Sequence, residues 1–137
     1  MQDTELRVRP VDLAIDALKQ RFPSDQLILG KAQVEPYGKD ESDLGTFPPD
    51  VVVLPTSTED LISIFGVATH YGVPVVPVAA RSGKSGGSLA SWGGIAVSVE
   101  RMNRILEIRP DDLIARVEPG VITGHFQSTI NFGGGPL

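Results

Sequence analysis

Cysteine is absent from the 137 residues, which removes disulfides, thiolate zinc sites, iron–sulfur clusters and a cysteine nucleophile at once. Histidine is scarce: His70 and His125 are the only two, and no His-x-x-x-His pair exists, so no histidine-rich metal site is expected. Positive charge is in deficit, with 12 Lys and Arg against 17 Asp and Glu and a formal net charge of −5. A nucleic-acid binder would need a basic face for phosphate contacts, so that class is set aside. No uninterrupted apolar run approaches the ~20 residues of a membrane-spanning helix. The N-terminus, MQDTELRVRP, is too polar for a signal peptide. A soluble, cytoplasmic protein is the expectation. What is present is 41% apolar and 21% charged residues, enough to pack the core of one ordinary domain.

Residues 1–9 read as a loose polar start. Pro10 can open a helix, because the N–H it lacks has no partner at that position. Val11, Ile15, Leu18 and Phe22 then follow at the spacing of one helical face, and Pro23 ends it. Gln26–Leu29 is a short strand candidate closed by Gly30. Residues 31–49 are polar and rich in Pro and Gly, as expected of a long surface connection. Asp50–Leu54 (DVVVL) is a continuous apolar run of the kind buried on both faces of a sheet. Ser57 is a good N-cap, with Glu59 and Asp60 in the first turn. Leu61, Ile64, Phe65 and Ala68 form the expected apolar face of the helix, and Gly72 ends it. Val73–Val78 (VPVVPV) is a second extended run, so residues 50–78 predict a βαβ unit with a right-handed crossover. Beyond residue 94 three short strands are expected, Ile95–Val99, Ile105–Ile108 and Leu113–Val117, close enough to be antiparallel neighbours. Thr123 caps a last helix carrying Phe126 and Ile130, and the chain ends on FGGGPL.

Chemistry is expected in the loop that leaves the second strand, AARSGKSGGSLASWGG, residues 79–94. Glycines let successive N–H groups converge on one point and remove side chains that would block a ligand, and serine hydroxyls add donors. Such a loop can cradle a diphosphate; a flexible linker has the same composition. Two familiar phosphate loops fail here. A Walker A loop ending at Gly83-Lys84-Ser85 would need glycine at 78, where Val78 stands, and a helix directly afterwards. A dinucleotide fingerprint would need glycine at 81, where Arg81 stands, and again a helix.

Four motifs in order resemble the FAD-binding domain of the vanillyl-alcohol oxidase (PCMH) type, in the branch of FAD-linked glycolate oxidase and D-lactate dehydrogenase subunits. They are PPDVVVLPTSTEDLISIFGVATHYGVPVVP at 48–77, SGKSGGSL at 82–89, GGIAVSVERMNRILEI at 93–108 and ARVEPGVITGHFQ at 115–127, preceded by a lead-in YGKDES. The resemblance covers about residues 10–130. It implies FAD with its pyrophosphate on the loop: Ala79, Ala80, Arg81, Ser82 and Gly83 along the phosphates, and Ser85, Gly86 and Gly87 toward the ribityl and flavin side. The family more often shows R-G-x-G-[TS]-G at 78–83, where this chain has V-A-A-R-S-G. Covalent FAD attachment in the family uses a histidine in or near this loop. None is present, so the resemblance implies non-covalent FAD.

Other residues have plainer readings. His70 is expected to face solvent or pack, and His125 has no charged neighbour in sequence. Trp92 is expected to pack over the core. Asp40, Glu41 and Asp43 read as a solvated turn, and Pro119–Gly120 as a turn near the cofactor. No catalytic residue is assigned and no metal is expected. The fold class expected is α+β: a parallel βαβ layer and a mainly antiparallel part, truncated, with residues 1–46 as N-terminal helix and lead-in and 47–137 as a partial FAD-binding domain without its substrate domain. The function implied is the FAD-binding part of an oxidoreductase whose complete form oxidises a 2-hydroxy acid, possible as an oligomer or with a partner subunit. The alternative is a non-catalytic remnant or interaction module that has lost flavin.

Overall fold

A computed structural model describes residues 8–132; most of the loose start, and the tail from 133 onward, lie outside them. Helix α1 (Pro10–Arg21) begins at Pro10, with the Arg9 guanidinium on the Asp12 carboxylate at 2.8 Å. Its inner face is Ala14 and Leu18, continued by Phe22, with Val11 and Ile15 half-buried beside them. A 3₁₀ turn (Ser24–Gln26) leads into β1 (Leu27–Ile28). The expected surface connection at 31–49 is partly helical. Helix α2 (Lys31–Val34) and a 3₁₀ turn (Glu35–Gly38) occupy its first half. Val34 and Tyr37, three residues apart, both reach the sheet, so two apolar anchors in a polar stretch suffice to seat it.

Strand β2 (Val51–Val53) is fully buried. Helix α3 (Thr58–Tyr71) starts at Ser57, whose hydroxyl oxygen accepts the Asp60 N–H, and ends at Gly72 with φ 64°. Strand β3 (Val75–Val78) follows, then β4 (Ile95–Ser98). The sheet order is β1-β2-β4-β3, with β2, β4 and β3 parallel and β1 antiparallel to β2. Two expectations are corrected here. The segment 95–99 does not join an antiparallel group; it slots between the two strands of the βαβ unit. Its four residues are all buried, the mark of a central parallel strand. Phe65 does not face the sheet: it is 51% exposed, while Val67 takes the inner place beside Ile64 and Ala68. Leu61 is half-buried on the same core.

The alternation of β2 and β4 divides the interior in two. Val51, Val53, Ile95 and Val97 face α1 and α3, whereas Val52, Ala96 and Val78 face Val34 and Tyr37. Beyond β4 lie a hairpin of β5 (Ile105–Arg109) and β6 (Ile114–Val117), antiparallel as expected, and helix α4 (Thr123–Phe132). The hairpin base is clamped by Arg104 and Glu118. The Arg104 N–H, Nε and Nη2 all donate to the Glu118 carboxylate at 2.6–3.0 Å, and the Glu118 N–H donates back to the Arg104 carbonyl at 2.9 Å. The adjoining Gly120 packs so tightly on the carbonyls of Val99 and Met102 that a Cβ has no room. The structure therefore combines a parallel layer with an antiparallel hairpin, an α+β arrangement.

Candidate functional site

Two adjacent parallel strands need a crossover of a dozen residues or more, and a helix normally supplies it. Between β3 and β4 the crossover is the Gly/Ser loop itself, residues 79–94, with no helix. It leaves from the carboxyl end of β3, the side of a parallel sheet where ligands usually bind. There it borders an open hollow of about 420 Å³. Seven of the eight expected residues line it: Ala79, Ala80, Arg81, Ser82, Gly83, Ser85 and Gly87. Lys84, Ser88 and Asp40 line it with them.

Two carbonyls of the 82–88 stretch accept main-chain N–H groups, one from the 40–44 segment and one from within the loop, while the stretch's own N–H groups have no main-chain partner. The Gly83 carbonyl accepts the Glu41 N–H at 3.0 Å, and the Gly86 carbonyl accepts the Leu89 N–H at 3.1 Å. Among the described residues, no N–H from Ser82 to Ser88 donates to a main-chain carbonyl. Apart from the Gly86 N–H, which meets the Asp40 carboxylate, these donors are unspent beside the hollow, and such donors are what an anion such as a phosphate seeks. Gly83 and Gly87 have open space where a Cβ would stand, so side chains there would enter the region the loop keeps clear.

Gly86, the eighth expected residue, does not line the cavity. It has φ +77°, and a Cβ on it would collide with Leu44 Cδ1 at 2.5 Å. Its requirement is internal: it presses the loop onto the 40–44 segment. Asp40 belongs to the same junction. Its carboxylate accepts the Ser42 hydroxyl and N–H, and these bonds, with the Gly86 N–H, hold it below the ordinary carboxylate range despite some desolvation. Asp40 Oδ2 is buried without a partner.

Arg81 stands at φ 57°, a conformation easier for glycine, which the family pattern places there. Its guanidinium lies 4.7 Å over the Tyr37 ring, and its buried Nη1 has no hydrogen-bond partner. The Tyr37 hydroxyl is 3.4 Å from both carboxylate oxygens of Glu100, past the end of β4. Burial, then the Glu100 charge, pushes the Tyr37 phenol up, against the opposing pull of Arg81. Sequence reasoning missed Tyr37 as a site residue and read Asp40 as mere turn; their place in the YGKDES lead-in was the available signal.

These features fit a diphosphate group: N–H donors without main-chain partners, a cationic side chain on the lining and two glycines with open space beside them. The remaining residues sit apart. His125 is exposed beside a second hollow of about 320 Å³ that Glu100, Gly120 and Ile122 also line. His70 is exposed, its ring edge-on to Tyr71 at 4.7 Å. Trp92 does not pack over the core but is 88% exposed, because the turn at Gly93 and Gly94 directs it outward at the opposite, amino-terminal end of β4. No helix among the described residues is long and apolar enough to cross a membrane.

Comparison with known proteins agrees with this geometry. A model of the "FAD binding domain" family matches residues 49–135. A probable mitochondrial D-lactate dehydrogenase of Danio rerio is 32% identical over 111 residues, 81% of this chain and 22% of that protein. Glycolate oxidase subunit GlcD of Bacillus subtilis is 37% identical over 75 residues, 55% of this chain and 16% of that one. The chain thus spans about a fifth of the length of the curated relatives it matches. Among solved structures, an alkyldihydroxyacetonephosphate synthase superposes with a TM-score of 0.77 at 22% identity, covering 98% of this chain and 28% of the other, which shows the shared fold. With the family model spanning both the loop and the parallel strands that carry it, the chain belongs to the FAD binding domain family.

Proposed function

We propose that the chain is the N-terminal, FAD-binding part of an FAD-linked oxidoreductase whose complete form oxidises a 2-hydroxy acid of the D-lactate or glycolate class. The reading rests above all on one observation: the 82–88 segment ties the Gly83 carbonyl to the 40–44 segment and, Gly86 apart, leaves its N–H groups without a protein acceptor beside an open hollow at the carboxyl end of β3. The names of the relatives, a D-lactate dehydrogenase and a glycolate oxidase subunit, supply the substrate class. Bound flavin supplies the acceptor for a hydride taken from the carbon that carries the hydroxyl.

In this reading the chain's own task is placement. Ala79, Ala80, Ser82 and Gly83 lie along the diphosphate, Arg81 balances its charge, and Ser85, Gly86 and Gly87 shape the path toward the ribityl chain. Residues 79–94 contain no histidine, so the cofactor is held without a covalent bond. Within the lead-in, the 40–44 segment braces the loop from behind, through contacts such as the Glu41 N–H to the Gly83 carbonyl. A cytoplasmic location and an oligomeric or partnered state belong to the same proposal. The mitochondrial name of one relative sets a second compartment against the first, and fractionation of cells carrying the tagged protein separates them.

The test is spectral. The purified chain, mixed with FAD and freed of excess by gel filtration, should carry flavin absorbance that is released by denaturation without covalent residue. Protein that emerges colourless, from this chain and from any longer product of the same gene, would overturn the reading. It would favour an interaction module without flavin, for which the Asp40 carboxylate at the cavity is the supporting feature.

A further inference from the structure

We infer that Tyr37, in the lead-in, is the platform that holds Arg81 in position for the anionic bridge of the cofactor; this rests on the cofactor reading above. Four observations converge on the pair. Arg81 occupies the left-handed region, an uncommon conformation for a non-glycine residue. Its side chain is half-buried and lines the loop cavity. The guanidinium rests 4.7 Å over the face of Tyr37, and one nitrogen, Nη1, is buried with no hydrogen-bond partner. An aromatic face attracts a cation over its plane, so the stack sets the orientation of the group.

Tyr37 is itself fixed from both sides. Its ring packs with Val34 on the sheet face made by Val52, Val78 and Ala96, and its hydroxyl points to Glu100. Glu100 also accepts the Ser98 hydroxyl at 3.1 Å, which ties it to the end of β4. The ring therefore links the sheet face to the segment just past β4, and reaches the hollow only through Arg81, which lines it. It belongs to a segment outside the 49–135 that the family model matches. The ligand chemistry is a diphosphate ester carried by a nucleotide, and Tyr37 is a positioning residue that acts through Arg81.

The experiment is titration of the full 137-residue chain with FAD and, separately, with ADP, for the parent, Arg81→Gly, Tyr37→Leu, Tyr37→Phe and the Tyr37→Leu/Arg81→Gly pair. Circular dichroism confirms that each is folded. Both single changes, Arg81→Gly and Tyr37→Leu, are expected to weaken both ligands about tenfold, as loss of an oriented cation implies. The double variant should be no weaker than Arg81→Gly, and Tyr37→Phe, which keeps the ring, should stay within about twofold of the parent. A loss in Arg81→Gly with none in Tyr37→Leu overturns the platform and leaves the cofactor reading standing. So does additivity of the two losses, or a loss in Tyr37→Phe equal to that in Tyr37→Leu. Failure of the parent to bind either ligand overturns the cofactor reading and the platform with it.

Discussion

Single residues in the loop separate into those that face the cavity and those that hold the loop in shape, and substitutions should tell them apart. Gly87→Val places a branched side chain in open space next to the proposed diphosphate. It should lower FAD retention at least tenfold while the melting temperature stays within a degree or two of the parent. Gly86→Val must both abandon φ +77° and displace Leu44, so it should lower the melting temperature as well as the flavin content. Thermal melts and flavin absorbance on the two variants check this; equal melting temperatures would show that Gly86 does not press on the 40–44 segment. A second residue-scale prediction concerns acid. The hydrogen bonds from Arg104 hold the Glu118 carboxyl below the usual range. Its folded value lies below its unfolded value of about 4.3, so the stabilisation is present above that pH and is lost as the pH falls through the folded value. Melts from pH 7 to pH 3 should show Glu118→Gln less stable than the parent at pH 7 and flatter on the acid limb. A variant that tracks the parent throughout would remove the clamp from the account. The identities of Ala79–Gly87 as loop residues were legible from composition. That Gly86 alone of the eight turns away from the hollow was not, because a backbone turn at φ +77° leaves no mark in sequence beyond the glycine that permits it.

At the level of elements, α3 shows how periodicity locates a helix better than it locates its inner face. Leu61, Ile64, Phe65 and Ala68 satisfy helical spacing, but so do Leu61, Ile64, Val67, Ala68 and Tyr71. The choice between them belongs to α1, which packs on α3 from one side and leaves Phe65 outside. Truncation should follow the packing: Ile64→Ala should cost about 2–5 kcal/mol and Phe65→Ala about 1 kcal/mol or less. Urea unfolding of both variants measures this, and a larger loss at Phe65 than at Ile64 would mean that the helix is turned the other way. Strand β4 carries a similar lesson. Its IAVS run was legible as a strand, but its partners were not, since close spacing along the chain to β5 and β6 competes with the pull of a doubly buried slot between β2 and β3. A sequence run buried throughout wants neighbours on both edges, and only the parallel sheet offers them. Helix α2 escaped the reading because its two anchors, Val34 and Tyr37, lie in a stretch dominated by charge, Pro and Gly.

Over the whole molecule, burial is uneven. The parallel layer encloses its strands, whereas the hairpin leaves Leu106, Leu113, Ile114 and Val117 between 40% and 77% exposed. A two-stranded hairpin is marginal by itself, and exposed apolar strand edges invite pairing between molecules. The chain in solution should therefore associate with rising concentration. Leu113→Lys, a charge at the most exposed of these positions, should reduce that association without changing the far-ultraviolet circular dichroism. Sedimentation velocity across a concentration series checks it, and a parent that stays monomeric would show the hairpin to be covered. The loop that replaces a crossover helix has a different consequence, in the time domain. Amides in β4, paired on both edges, and those of β3 that face β4 are locked in ladders and should exchange their protons for deuterium only when the layer opens. Those from Ser82 to Ser88, Gly86 with its Asp40 partner excepted, owe nothing to any carbonyl and should exchange at nearly the rate of an unfolded chain. Addition of FAD should slow that one stretch while the strands on either side keep their pace, so the exchange record of an unmutated chain would map which amides close on the diphosphate.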